Sequence, residues 1–190
     1  MIRLPDALST LRAERRDDDV VVTTMSAAKV WMDLGPAHPL DLVFVPSCMG
    51  HATSYALGIA LAQPARRVVV CNGDGSMLMS LGSLVTIAAE APPNLSVIIM
   101  QNGVYEVTGG QPVPRRADFA GLARASGIPR VFEFPDAAGW SAGARAVLAA
   151  NETTVTVLDI EPEPARPAPR SPGPASTRAI ALRSALLAGR

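Results

Sequence analysis

The sequence predicts an α/β protein, a doubly wound and mainly parallel sheet flanked by helices. Three observations predict it. Short, almost wholly apolar runs recur at strand length, segments of helical spacing separate them, and one such run passes through Gly-Asp-Gly-Ser directly into a helical segment. Strands that are apolar throughout are those buried on both faces of a parallel sheet, and their alternation with helices is the pattern of right-handed crossover connections.

In chain order, residues 4–16 predict a short polar helix. Strands follow at 19–24 (DVVVTT), 41–45 (DLVFV), 67–72 (RVVVCN), 95–101 (LSVIIMQ) and 153–160 (TTVTVLDI), with a weaker one at 130–134. Helical spacing occupies 26–34, 50–62, 76–90, 118–126 and 136–150; in the third of these Met77, Leu81, Leu84, Val85 and Ala88 share one face. Residues 161–175 are proline-rich, which blocks both helix and central strand, and predict an extended linker. Residues 176–190 regain helical spacing behind Ser176 and Thr177, a pattern that fits either a docking helix or a partly disordered tail. The expected organisation is therefore one domain over 1–160, a linker over 161–175 and a tail over 176–190.

Composition narrows the function classes. Seventeen basic residues balance seventeen acidic ones, and aromatics are only 4%; neither an electrostatic footprint for nucleic acid nor a stacking platform for single strands follows. The longest apolar runs, such as SVIIM at 96–100, fall far short of the roughly 20 residues of a membrane helix. The N-terminus lacks the apolar segment of a secretory signal, and Cys48 and Cys71 lie in or beside apolar runs, so a reduced, cytoplasmic protein is expected.

The most informative stretch is Val68 to Met79, where a strand meets Gly73-Asp74-Gly75-Ser76 and a helix begins. In an open α/β sheet this is the carboxyl end of a strand, where ligands bind. Glycines allow a sharp turn and close backbone approach, and the free N–H groups of a helix start favour phosphate. Asp74 would repel a phosphate unless a divalent cation bridges the two. Commoner motifs fail: a G-x-G-x-x-G read from Gly73 meets Leu78, a Walker A loop has no lysine because Lys29 is the only one, and His38 and His51 are too far apart for a zinc helix. Taken alone, the segment also fits an ordinary tight strand-helix turn. Asn102, in Gln101-Asn102-Gly103-Val104-Tyr105, comes one helix and one strand later. Adjacent parallel strands would bring it to the same sheet edge, where its amide oxygen and a carbonyl such as that of Val104 could join Asp74 around magnesium.

The glycine-aspartate-glycine-serine turn followed by an asparagine-glycine turn resembles the diphosphate-binding signature of thiamine diphosphate enzymes. Over residues 47–112, SCMGHATSYALGIALA, NGDGSMLMSLGSLVTIA and QNGVYEVTGGQP are similar to the phosphonopyruvate and sulfopyruvate decarboxylase branch. The resemblance implies that Asp74, Asn102 and the Val104 carbonyl ligate Mg2+. It implies cofactor contacts from Ser26, Gly50, Gly73, Gly75, Ser76, Asn102, Val104 and Tyr105, and that Met49 props the cofactor in its bent conformation. His51 is the implied proton carrier or carboxylate-binding donor. Relatives tend to have glycine and further hydroxyl residues where this chain has Met25, Ala27 and Ala28, and Gln101-Asn102 stands where many read Asn-Asn.

The same resemblance implies decarboxylation of a small 2-oxo acid to an aldehyde. It places the carboxylate that activates the cofactor in a separate pyrimidine-binding domain, for which there is no room upstream of Ser26. The expected protein is thus a beta-type subunit that needs a pyrimidine-domain, alpha-type partner in a homo- or hetero-oligomer. Glu106 is a candidate catalytic, solvated or loop-bonding carboxylate, Tyr105 to Gln111 a candidate closing loop, and Arg115 with Arg116 candidate donors to a substrate anion. A non-catalytic cofactor-binding or regulatory module and a generic nucleotide-binding domain are the competing expectations.

Overall fold

A computed structural model describes residues 1–45, 47–113, 117–164 and 172–188. The chain runs α1 (Leu4–Glu14), β1 (Val20–Thr24), α2 (Met25–Asp33), β2 (Asp41–Phe44), α3 (Ala52–Ala62), β3 (Val68–Gly73), α4 (Asp74–Leu78), α5 (Gly82–Glu90) and β4 (Leu95–Gln101). It continues through β5 (Val104–Tyr105), β6 (Gln111–Pro112), α6 (Phe119–Ala125), β7 (Arg130–Phe134), α7 (Ala137–Ala149), β8 (Thr154–Asp159) and α8 (Ala175–Leu187). Six strands form one parallel sheet in the order β2-β1-β3-β4-β8-β7, and β5 pairs β6 in a separate antiparallel hairpin.

Alternation along the strands builds two cores. Val20, Val22, Val68, Val70, Val97 and Ile99 face a layer made by α3, α5, α6 and α8, while Val21, Val69, Cys71, Ile98 and Met100 face α1, α2 and α7. The chain leaves β1 toward β2, then returns to lay β3 on the other side of β1. That reversal opens a crevice at the carboxyl ends of β1 and β3, the switch point where doubly wound sheets hold ligands.

The expected helix over 76–90 is two helices. Ser80, Ser83 and Leu84 donate to carbonyls three residues back, at Met77, Ser80 and Leu81, so a tight turn interrupts the α ladder. Met77 and Leu84 are buried, whereas Val85, expected on the same face, is exposed.

The outer edge of the sheet at β2 is covered by α8. Leu40 turns its carbonyl toward Val21 of β1, so by the period of two the carbonyls of Val43 and Val45 point away from the sheet. Arg178 of α8 donates to both, at 3.3 Å to Val45 and more closely to Val43, and Leu182 buries beside them in the core. Residues 165–171, within the stretch expected as a linker, lie outside the described residues.

Among the described residues no helix is long and apolar enough to cross a membrane. Burial pushes the Cys71 thiol up to about 12, and only the thiolate is nucleophilic. Native protein at neutral pH is therefore expected to keep Cys71 unmodified by iodoacetamide, with labelling there appearing only on denaturation, as peptide mass mapping would read.

Candidate active site

The crevice at the switch point encloses about 520 Å³ of empty space, counting its open mouth. Of the residues expected at a cofactor, Ser26, Met49, Gly73, Asp74, Gly75, Ser76, Asn102, Val104 and Tyr105 all line it. Gly50 and His51 do not.

β3 ends at Gly73 in extended backbone and α4 starts at once. Asp74, only 3% exposed, accepts hydrogen bonds from the backbone N–H of Gly75 and of Gly103, both at 2.7 Å. It thereby ties the start of α4 to the turn beyond β4. Burial pushes its carboxyl above the ordinary range; the N–H groups of Gly103, Gly75 and Asn102 draw it back, and the Glu106 carboxylate adds to the rise. A buried charge without a cationic partner is expensive. Every hydrogen-bond donor to Asp74 is backbone, so a divalent cation would offset what the protein leaves uncompensated.

Asn102 turns its amide oxygen back onto the N–H of Val104 at 3.0 Å, which fixes the side chain; an amide oxygen has a second lone pair for a cation. Asp74, Asn102 and Val104 all line the crevice, and a carboxylate, an amide oxygen and a backbone carbonyl would make the hard, all-oxygen donor set that magnesium takes with phosphate and water. Among the described residues no group of three or more His, Cys, Asp or Glu side chains converges as a metal site. The donor set fits a cation completed by ligand oxygens rather than one caged by protein.

Gly75 faces the ring of Tyr105: a Cβ placed there would lie 2.6 Å from two ring carbons. Ser76, also buried, accepts from the N–H of Gly50 at 2.9 Å, which leaves its own proton to donate into the crevice. Gly50 has φ +79°, and a Cβ there would lie tightly against Met79 at 3.1 Å. Its contribution is therefore to the wall, holding the loop of Met49. His51 is exposed, precedes α3 and makes its ring contact with the Met49 carbonyl at 3.1 Å. Arg115 and Arg116 lie outside the described residues.

The start of α2 forms the opposing wall. Thr24 caps it without a side-chain bond to the helix and instead accepts from the Cys48 N–H at 3.1 Å. Thr24, Met25, Ser26 and Ala27 at this helix start line the crevice, and the first N–H groups of a helix have no partner within it, which suits a diphosphate. Met25 holds φ +57° and its sulfur accepts from the Ser47 hydroxyl at 3.1 Å. Left-handed backbone costs a side-chain-bearing residue about 1–2 kcal/mol, which accounts for glycine being the easier choice here. Met25→Gly is expected to hold or raise the melting temperature, and Met25→Val, β-branched, to lower it; the reverse order in thermal melts would exclude strain at this position.

Leu4, Met100, Val107 and Ile160 complete an apolar wall that the sequence reading did not include. Leu4 and Ile160 come from the two ends of the domain, joined by a parallel bridge between Ile2 and Ile160. No local motif marks them. Glu106, for which the sequence left a catalytic, a solvated or a loop-bonding role open, is buried and bonded to the chain rather than solvated.

Residues 19–160 match the family model described as the thiamine pyrophosphate enzyme, C-terminal TPP binding domain. The chain belongs to this family. Thiamine pyrophosphate is thiamine diphosphate, and the residues lining the crevice, Leu4 apart, lie within the matched segment. A relative within the set is the phosphonopyruvate decarboxylase of Streptomyces viridochromogenes, 39% identical over 158 residues, which are 82% of this chain and 39% of the relative. The sulfopyruvate decarboxylase subunit beta of Methanothermobacter thermautotrophicus is 56% identical over 63 residues, 33% of this chain and 34% of that one. This thiamine pyrophosphate-family chain spans about two fifths of the length of the phosphonopyruvate decarboxylases it matches. Among solved structures, the benzoylformate decarboxylase of Polynucleobacter necessarius superposes with a TM-score of 0.73 at 20% identity, covering 85% of this chain and 34% of that one, and so shares the fold. The 4-hydroxybenzoylformate decarboxylase of Rhodococcus jostii RHA1 gives 0.68 at 27% identity, covering 84% and 33%.

Proposed function

We propose that this chain is the beta-type subunit of a thiamine diphosphate- and magnesium-dependent 2-oxo acid decarboxylase of the sulfopyruvate and phosphonopyruvate kind, completed by a separate pyrimidine-domain subunit. The observation that carries this reading is Asp74: a buried carboxylate, bonded only by backbone N–H groups, sharing its crevice with the Asn102 amide oxygen and the Val104 carbonyl. The likeness to the sulfopyruvate decarboxylase subunit beta of Methanothermobacter thermautotrophicus, 56% identical over 63 residues, supports the split arrangement.

In this reading Asp74, Asn102 and the Val104 carbonyl hold magnesium, and the free N–H groups of α2 and the Ser76 hydroxyl hold the diphosphate. Met49 and Val107 press on the organic part and exclude water from it. When bound, the cofactor supplies the electron sink for loss of carbon dioxide from the 2-oxo acid. Among the described residues, the titratable side chains lining this half of the crevice are Asp74, Tyr105 and Glu106.

The exposed position of His51 favours one second reading, a non-catalytic cofactor-binding module. Coexpression with a pyrimidine-domain subunit separates the two. Decarboxylation of sulfopyruvate or phosphonopyruvate by the pair, absent from either chain alone, is the expected result. Magnesium-dependent cofactor binding by a pair that turns over neither acid would favour the module, and no binding by the pair would remove the cofactor assignment.

A further inference from the structure

Glu106 occupies the 3-10 turn Glu106–Thr108 immediately after β5 and is 8% exposed. A carboxylate at that depth requires donors, and it has two from remote parts of the chain. The Ser26 hydroxyl donates to one carboxylate oxygen at 2.5 Å, and the backbone N–H of Glu163, just beyond β8, donates to the other at 3.1 Å. Three segments therefore meet on one side chain: the turn bearing Asn102 and Val104, the N-terminus of α2, and the chain leaving the sheet.

The bond also assigns a proton. The Ser26 hydroxyl donates to Glu106, and a hydroxyl has a single proton, so it has none left for a phosphate oxygen. What Ser26 can still present to an anion is its backbone N–H.

We infer that Glu106 is a positioning residue, which clamps the Asn102–Tyr105 turn against the start of α2 and commits Ser26 to bind diphosphate through its main chain. The inference rests on the thiamine diphosphate reading and deepens it. Charge alone predicts the opposite behaviour: removing a carboxylate from beside an anionic cofactor tightens binding at saturating magnesium. Removing a clamp weakens it, since groups that orient metal ligands are worth about 10- to 100-fold in affinity.

The test is a double-mutant cycle of Ser26→Ala and Glu106→Ala in the full chain with its pyrimidine-domain subunit, read as the dissociation constant of thiamine diphosphate at saturating magnesium. Each single variant is expected to lose about 10-fold, and the double variant no more than either single one, because both break the same link. Hydrogen exchange without cofactor supplies a second readout: faster exchange across 103–113 in Glu106→Ala, with β4 protection retained. Glu106→Gln, of the same shape, replaces Glu106→Ala if that variant fails to fold. Tighter binding, additive losses or unchanged exchange across 103–113 would each overturn the clamp while leaving the cofactor reading intact. Absence of binding by the wild-type pair would overturn both.

Discussion

Asp74→Ala is expected to weaken magnesium-dependent binding of thiamine diphosphate by at least about 100-fold. The reasoning has two parts. In the proposed site Asp74 is the sole carboxylate ligand, and the remaining donors, an amide and a carbonyl, carry no net charge with which to hold a hard cation against water. Loss of an outer partner already costs 10- to 100-fold in metal sites, so loss of the charged ligand itself lies at or beyond the upper end. The substitution also orphans the N–H groups of Gly75 and Gly103, each costing about 1–3 kcal/mol if left buried without a partner. Asp74→Asn separates the effects, because its amide oxygen can still accept while the charge is gone. Calorimetric titration of the pair with and without magnesium, beside a thermal melt, reads both. An Asn variant that folds yet binds cofactor as tightly as wild type would exclude Asp74 as a ligand.

Gly75→Ala is the second substitution with a large expected effect. A Cβ at 2.6 Å from the Tyr105 ring is closer than such carbons approach, so either the ring or α4 must move. Overpacking of this kind costs about 1–3 kcal/mol. Tyr105 follows directly on Val104 and pairs with Gln111 in the hairpin, so displacement of the ring disturbs the turn that carries Asn102 and Val104. Loss of stability and of cofactor affinity are expected together. Tyr105→Ala combined with Gly75→Ala removes the clash and is expected to recover part of the stability, whereas failure to recover any would place the strain elsewhere.

Most of the architecture was legible in the sequence because buried parallel strands are apolar throughout, and DVVVTT, RVVVCN and LSVIIMQ carry that signal without interruption. The cleft's central residues were legible for a related reason: Gly73, Asp74 and Asn102 sit at strand ends, where the local pattern itself changes. What was not legible depends on distance in the chain. The split of the 76–90 helix arises from a turn of three-residue hydrogen bonds, which residue types alone do not encode. Leu4 and Ile160 reach the crevice only because the first and last parts of the domain pair. The link from Ser26 to Glu106 spans 80 residues, and no spacing rule reaches so far. His51 failed to enter the crevice because Gly50, at φ +79°, turns the chain between Met49 and His51, so that adjacent residues face different ways.

The guanidinium of Arg178 on the last carbonyls of β2 bears on how the sheet can grow. An open edge is a template for another strand, and copies of a chain with two open edges can add without limit. Here the β2 edge is short, Asp41 donates its N–H to His38, and the outward carbonyls of Val43 and Val45 are taken by Arg178. At the other end of the six-stranded sheet stands β7, whose strand partner among the described residues is β8 alone. A sheet sealed on one side can pair once across its open border and then terminates, which directs any edge-to-edge contact toward a closed dimer and away from a fibre.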